Sequence, residues 1–162
     1  MKDIDGIVHL ASPFHLLAKT REEMFGPAVG GALRVLESAY TYGKSVKRIV
    51  LTSSTAAISL STAGPHVLTE NDWTDSIKIC EEEGDAAGPV FKYRASKALA
   101  EQAAWKFVKE KKPSWDLVTM NPPWVFGPNY PGTPTVLNSS MTDFANYIVR
   151  QTKDNEFLAT KG

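Results

Sequence analysis

What this chain lacks narrows its possibilities before any motif is read. It has one cysteine, Cys80, so no disulfide can form within it and a reducing compartment, the cytoplasm, is the expected home. Neither sign of charge is in excess, with 18 Lys and Arg against 18 Asp and Glu. Nucleic acids and anionic membrane surfaces attract basic patches, so neither is an expected partner. No apolar run approaches the roughly 18–20 residues that a bilayer requires. Met1-Lys2-Asp3-Ile4-Asp5 has no apolar signal-peptide core. Without secretion, the sequon Asn138-Ser139-Ser140 carries no consequence. His9 and His15 have no Cys or carboxylate cluster at ligand spacing, so no metal site is expected. The carboxylates of Glu81-Glu82-Glu83 are expected to raise the Cys80 pKa and leave the thiol inert.

A glycine-rich phosphate loop is absent too. Gly26-Pro27-Ala28-Val29-Gly30-Gly31 has neither the G-x-G-x-x-G spacing nor a strand leading into it. It reads as part of a helix that admits Pro27 in an early turn. Gly30 and Gly31 are expected to let that helix pack closely on a sheet.

What is present is an alternation of strands and helices in 162 residues, 43% of them hydrophobic. Gly6-Ile7-Val8-His9-Leu10 opens as a short apolar strand, closed by Ala11-Ser12-Pro13. Residues 20–42 read as a helix with Met24, Val29, Leu33, Leu36 and Tyr40 on one face. Residues 47–54 form a second strand, and residues 61–85 a long irregular stretch with a fixed corner at Glu70-Asn71-Asp72-Trp73. A helix over 89–112, a strand over 114–121 and a helix over 138–151 complete the order. Such alternation predicts an α/β fold with parallel strands.

The stretch most suited to chemistry is Phe91-Lys92-Tyr93-Arg94-Ala95-Ser96-Lys97. Tyr93 and Lys97 stand four apart, on one face of a helix, and could reach one substrate together. An unperturbed Tyr titrates near roughly pH 10, too high for efficient proton transfer at neutrality. A neighbouring cation is expected to lower that value. A surface Lys beside a half-buried Tyr is the competing reading. The strand Arg48-Ile49-Val50-Leu51-Thr52 runs into Ser53 and Ser54. Ligands of open α/β sheets bind at the carboxyl ends of strands, where a Ser hydroxyl can meet a substrate carbonyl.

These segments together resemble the extended short-chain dehydrogenase/reductases, in the branch of dihydroflavonol-reductase-like and yeast-type methylglyoxal reductases. The resemblance rests on Val8-His9-Leu10-Ala11-Ser12-Pro13-Phe14-His15, Val46-Lys47-Arg48-Ile49-Val50-Leu51-Thr52-Ser53-Ser54 and Leu68-Thr69-Glu70-Asn71-Asp72-Trp73. It continues in Tyr93-Arg94-Ala95-Ser96-Lys97-Ala98-Leu99-Ala100-Glu101, Asn121-Pro122, Phe126-Gly127-Pro128 and Leu137-Asn138-Ser139-Ser140. It implies reduction of a small aldehyde or ketone by NADPH or NADH, NADPH being favoured. Ser54 then orients the carbonyl, Tyr93 is the general acid, and Lys97 holds the nicotinamide ribose and lowers the Tyr93 pKa. Ala11, Ser12 and Pro13 border the cofactor's ribose, and Pro122 through Val125 its nicotinamide. Phe14, Thr55, Trp124 and Tyr130 are candidates for the substrate wall, with Phe14 and Trp124 as core aromatics the plainer alternative. No metal is implied.

The same resemblance implies a partial Rossmann-like, doubly wound parallel sheet without its first βαβαβ half. Residues 1–128 would be the later half of the dinucleotide-binding domain, and 129–162 the beginning of a substrate-binding region. The family's GxxGxxG turn is not in these residues, so weak cofactor binding and impaired turnover are expected of this chain, with self-association through an exposed sheet edge. Two alternatives stand beside the reductase reading. One is epimerase or dehydratase chemistry on a nucleotide sugar with the same Ser/Tyr/Lys set. The other is a non-catalytic binding module.

Overall fold

The computed structural model describes residues 3–14, 16–60, 67–127 and 139–150. The chain falls into two compact units, Met1–Pro123 and Trp124–Gly162.

The first unit is built on three parallel strands, β1 (Gly6–His9), β2 (Arg48–Thr52) and β3 (Asp116–Met120), in that spatial order. Ile7 pairs with Ile49, and Ile49 with Leu117. Side chains alternate along a strand, so this row and Leu51 point to one face. There they join Ala28, Ala32, Leu36, Ala100, Ala104, Phe107 and Trp115 in the main core. The opposite face presents Val8, Val50 and Val118, aligned by the same register. Apolar residues on both faces are the mark of a parallel sheet strand. Fold class and strand direction therefore agree with the sequence reading. Among the described residues β1 pairs only with β2, and Val8 and Leu10 are 64% and 67% exposed.

Helix α1 (Arg21–Tyr42) begins where Thr20 Oγ1 accepts the Glu23 N–H at 3.3 Å. Glu22 and Glu23 lie in its first turn, where the helix dipole favours carboxylates. Its buried stripe is Met24, Ala28, Ala32, Leu36 and Ala39. Val29 and Leu33 pack at the margin of the core, and Tyr40 is half exposed, its ring set edge-on to Phe107. Gly30 and Gly31 do not serve as packing notches: a Cβ on either would meet no described atom within 4 Å. The close approach is made by the alanines. Gly43 is the glycine that space demands, since a Cβ there would sit 2.7 Å from the Ala39 carbonyl oxygen.

Of the stretch 61–85, residues 61–66 lie outside the described residues, and the rest is less irregular than its composition indicated. It contains α2 (Ser76–Glu83), which buries Ser76 and Cys80 and packs against α3 (Pro89–Lys111). Eight residues with an acidic run give too short an apolar pattern to read. The corner expected at Glu70–Trp73 lies one residue earlier, over Thr69–Asp72, where Asp72 Oδ2 accepts from Thr69 N and Oγ1 at 2.6 and 2.8 Å.

Helix α3 places Pro89 in its first turn, where a missing N–H costs nothing. Ala100 and Ala104 face the alanines of α1 within one cluster, so the two helices lie close. The helix ends at Lys112 in the left-handed region, φ 46°, its N–H bonded to Val108 O. In the second unit, α4 (Ser139–Arg150) carries Phe144, whose ring lies 5.2 Å from that of Phe126. No described helix is long and apolar enough to cross a membrane.

Candidate active site

Beyond Thr52 and Met120, the chains of β2 and β3 stay paired. Ser53 N donates to Met120 O at 2.7 Å and Thr55 N to Pro122 O at 3.1 Å. This holds Ser54 extended at the sheet's carboxyl edge, where it caps the short turn Thr55–Ala57. Ser54 Oγ accepts the Ala56 N–H at 3.1 Å. Its own O–H is thereby left to donate, and the Tyr93 phenol lies near enough for that hydroxyl to lower its pKa.

Tyr93 and Lys97 stand one turn apart on α3, as their spacing predicts. Tyr93 is half-buried; Lys97 is buried, only 7% exposed. Burial pushes the Tyr93 phenol above its ordinary pKa, and the nearby Ser54 hydroxyl pulls it partly back. The expected lowering by Lys97 is not what governs it. The Lys97 ammonium donates instead to Thr52 O at 3.1 Å. Its pKa lies below the usual lysine value because burial disfavours the cation, an effect the nearby Glu101 carboxylate opposes. An ammonium has three N–H bonds. Among the described residues Lys97 makes this one hydrogen bond, leaving two N–H for a ligand.

A narrow cleft at this edge is lined by His9, Ala11, Ser12, Thr52, Ser53 and Lys97 among others. His9 is held neutral more strongly than usual, first by burial and then by the Lys97 charge. Ser53 Oγ is buried without a hydrogen-bond partner. An unspent hydroxyl and a buried ammonium at one cleft suit a polar, hydroxyl-bearing ring such as a ribose. Pro13 is half-buried beside the cleft-lining Ser12. Phe14 meets Tyr93 edge to face, centroids 5.3 Å apart and planes at 81°. Thr55 follows Ser54 directly, half-buried.

Ser54, Tyr93, Lys97, Ala11, Ser12, Pro13, Phe14, Thr55 and Pro122 thus all belong to the first unit. Trp124 and Val125 belong to the second and are exposed in it. Tyr130 and His15 lie outside the described residues. Two residues given no role by sequence reasoning stand beside the site. Asn121 Nδ2 donates to Ser54 O and to Glu101 Oε2, each at 3.0 Å. Their signal was faint: a Glu one turn after Lys97, and an Asn directly after a strand.

Cys80 is buried, and its thiol pKa is raised as expected, but chiefly by burial. Arg21 and Lys92 oppose the rise, and of the three glutamates that follow only Glu83 adds to it. The backbone turns the acidic run of α2 toward solvent while Cys80 points inward.

Residues 1–160 match the NAD dependent epimerase/dehydratase family. A ketoreductase of Aspergillus niger is 40% identical over 153 residues, 94% of this chain and 43% of the relative. The structure of Gre2 in complex with NADPH from Candida albicans superposes with TM-score 0.77 and 34% identity, covering 89% of this chain and 44% of that one. Yeast methylglyoxal/isovaleraldehyde reductase Gre2 complexed with NADPH gives TM-score 0.68 and 36% identity, over 78% of this chain and 38% of that one. The chain spans about two fifths of the length of the curated relatives it matches. With the parallel sheet, the strand-end serine and the Tyr93/Lys97 helix in place, the chain belongs to the NAD dependent epimerase/dehydratase family.

Proposed function

We propose that this chain carries the proton-transfer site of an NAD(P)H-dependent reductase of small aldehydes or ketones. The carrying observation is the assembly of Ser54, Tyr93 and Lys97 at the carboxyl ends of parallel strands, with the Ser54 hydroxyl near enough to Tyr93 to lower its pKa. Relatives named as ketoreductase and NADPH-dependent methylglyoxal reductase support this reading, and favour NADPH, over nucleotide-sugar chemistry or a non-catalytic role.

The residues around the cleft fit a nicotinamide cofactor's ribose. Lys97 has two unspent N–H bonds, Ser53 an unpartnered hydroxyl, and Ala11 and Ser12 form the facing wall. When bound, the cofactor supplies the hydride, chemistry no side chain can provide. Ser54 donates its O–H to the substrate carbonyl and orients it. Tyr93 donates its phenolic proton to the same oxygen as negative charge develops there. Such positioned acids contribute about 10²–10⁴-fold. Lys97 grips the ribose and keeps a cation near the phenolate that remains. Pro13, Pro122 and Val125 are assigned to the cofactor's border, and Phe14, Thr55, Trp124 and Tyr130 to the substrate wall.

Residues 1–128 act in this reading as the later half of a dinucleotide-binding domain, and residues 129–162 as the beginning of the substrate region. The pyrophosphate anchor is not assigned to any of these residues. A cytoplasmic setting suits the reduced thiol of Cys80. The exposed apolar edge at Val8 and Leu10 is assigned to strand pairing, with a second copy in the isolated chain.

NADPH titrated into the isotope-labelled chain tests the assignment by NMR. Perturbed signals are expected to cluster at Ala11, Ser12, Ser53 and Lys97. Perturbation scattered elsewhere, or none at millimolar NADPH, would contradict it.

A further inference from the structure

Ser54 and Lys97 come from different elements, one from a strand end and one from mid-helix. What fixes them relative to each other is a half-buried polar bridge. The Asn121 amide nitrogen has two N–H bonds, and both are used, on Ser54 O and on Glu101 Oε2. Both partners can only accept, so only the amide nitrogen fits between them. Glu101 is 5% exposed and stands one turn beyond Lys97 on α3. A carboxylate so deeply buried is costly unless it is paired. Here its compensation is the hydrogen bond from the Asn121 amide, with the Lys97 charge one turn away acting on it through space.

We propose that Glu101 and Asn121 are positioning residues that lock the Ser54 strand end to the helix carrying Tyr93 and Lys97. Asn121 fixes the Ser54 backbone, which keeps Ser54 Oγ at the Tyr93 phenol. Glu101 anchors Asn121 and keeps the buried Lys97 charged, ready for a ligand. The other groups around Lys97 do neither. His9 on β1 is held neutral beside it, β2 offers only the Thr52 carbonyl and the Ser53 hydroxyl, and α1 contributes Ala28 and Ala32. Tyr93 on the same helix is an acid kept protonated by burial.

The inference rests on the reductase reading for its purpose, yet its test needs no turnover. Two variants are read without cofactor. In Glu101→Gln, the Gln carbonyl still accepts from Asn121, so the fold is kept while the charge is lost. The Lys97 side-chain titration, followed by NMR, is expected to move to lower pH while the Tyr93 phenol titration stays. In Asn121→Ala, Ser54 is released, and the Tyr93 titration is expected to move to higher pH. A merely structural role would alter melting temperature and move neither titration. Either variant that folds decides the matter, because each shifts a different residue. Unmoved Lys97 in folded Glu101→Gln, or unmoved Tyr93 in folded Asn121→Ala, overturns the proposal. Failure of NADPH to perturb Lys97 in the parent chain would sink the reductase reading and leave the bridge standing.

Discussion

The ammonium of Lys97 reaches across 3.1 Å to the carbonyl oxygen of Thr52, tying the middle of α3 to the carboxyl end of β2. A cation in so buried a place has a definite cost, and the cost depends on pH. The folded-state pKa of Lys97 is depressed, by burial first. Between that value and the unfolded one, near roughly 10.4, the unfolded chain binds more protons, so stability rises with pH. The contribution is complete above the unfolded pKa and lost as pH falls through the folded one. The stability of the parent relative to Lys97→Met is therefore expected to increase between neutral and alkaline pH. Urea denaturation of both proteins at the two ends of that range checks it, and a constant difference would contradict it.

Burial raises the Tyr93 pKa more than the nearby Ser54 hydroxyl lowers it. Removing the hydroxyl leaves burial alone. In Ser54→Ala the phenol is expected to titrate at still higher pH than in the parent. Ultraviolet difference titration, with Tyr93→Phe to identify the signal, measures this. An unchanged or lowered midpoint would mean that Ser54 does not hold the phenol.

The Arg48–Asp116 pair joins β2 to β3 through two hydrogen bonds, 2.8 and 2.6 Å, at solvent. The Arg48 hydrogen bond holds the Asp116 carboxyl below its usual pKa. Its stabilisation is present above the unfolded pKa, about 3.9, and is lost as pH falls through the depressed folded value. Asp116→Asn is expected to melt slightly below the parent at pH 7, with the gap closing in strong acid and in high salt. Melting curves at several pH values show whether the gap closes.

The alanine contact between α1 and α3 leaves no room for growth. Ala104 is fully buried, in one cluster with Ala28 and Ala32. Ala104→Leu is expected to cost about 1–3 kcal/mol by overpacking. Leu36→Ala, which opens a void in the same cluster, is expected to cost about 2–5 kcal/mol. Chemical denaturation gives both, and a neutral Ala104→Leu would show that the helices are looser than described.

Much of this was legible from residue pattern. The apolar strand running into Ser53 and Ser54, the helices over 20–42 and 89–112 and the four-residue spacing of Tyr93 and Lys97 are local features, and local features are written in sequence. The electrostatics were not. Which acceptor Lys97 chooses depends on where the Thr52 carbonyl ends up, 45 residues away in the chain. Glu101 and Asn121 meet across 20 residues, and nothing in either neighbourhood announces the pairing. Gly30 and Gly31 misled because small residues advertise close packing, whereas the alanines on the next face of the same helix perform it. Helix α2 was hidden by its acidic run, which faces solvent while Cys80 faces the core.

The claim that matters most is that Tyr93 is the acid of a carbonyl reduction. It is tested by exchanging the matching segment of the yeast methylglyoxal/isovaleraldehyde reductase, 38% of that chain, for this one. Turnover of isovaleraldehyde with NADPH is then measured in the folded chimera and in its Tyr93→Phe version. The expected result is activity in the first and a loss of about 10²–10⁴-fold in the second, with NADPH affinity little changed. Equal turnover in the two would show that Tyr93 does not deliver the proton, and the site would need another acid.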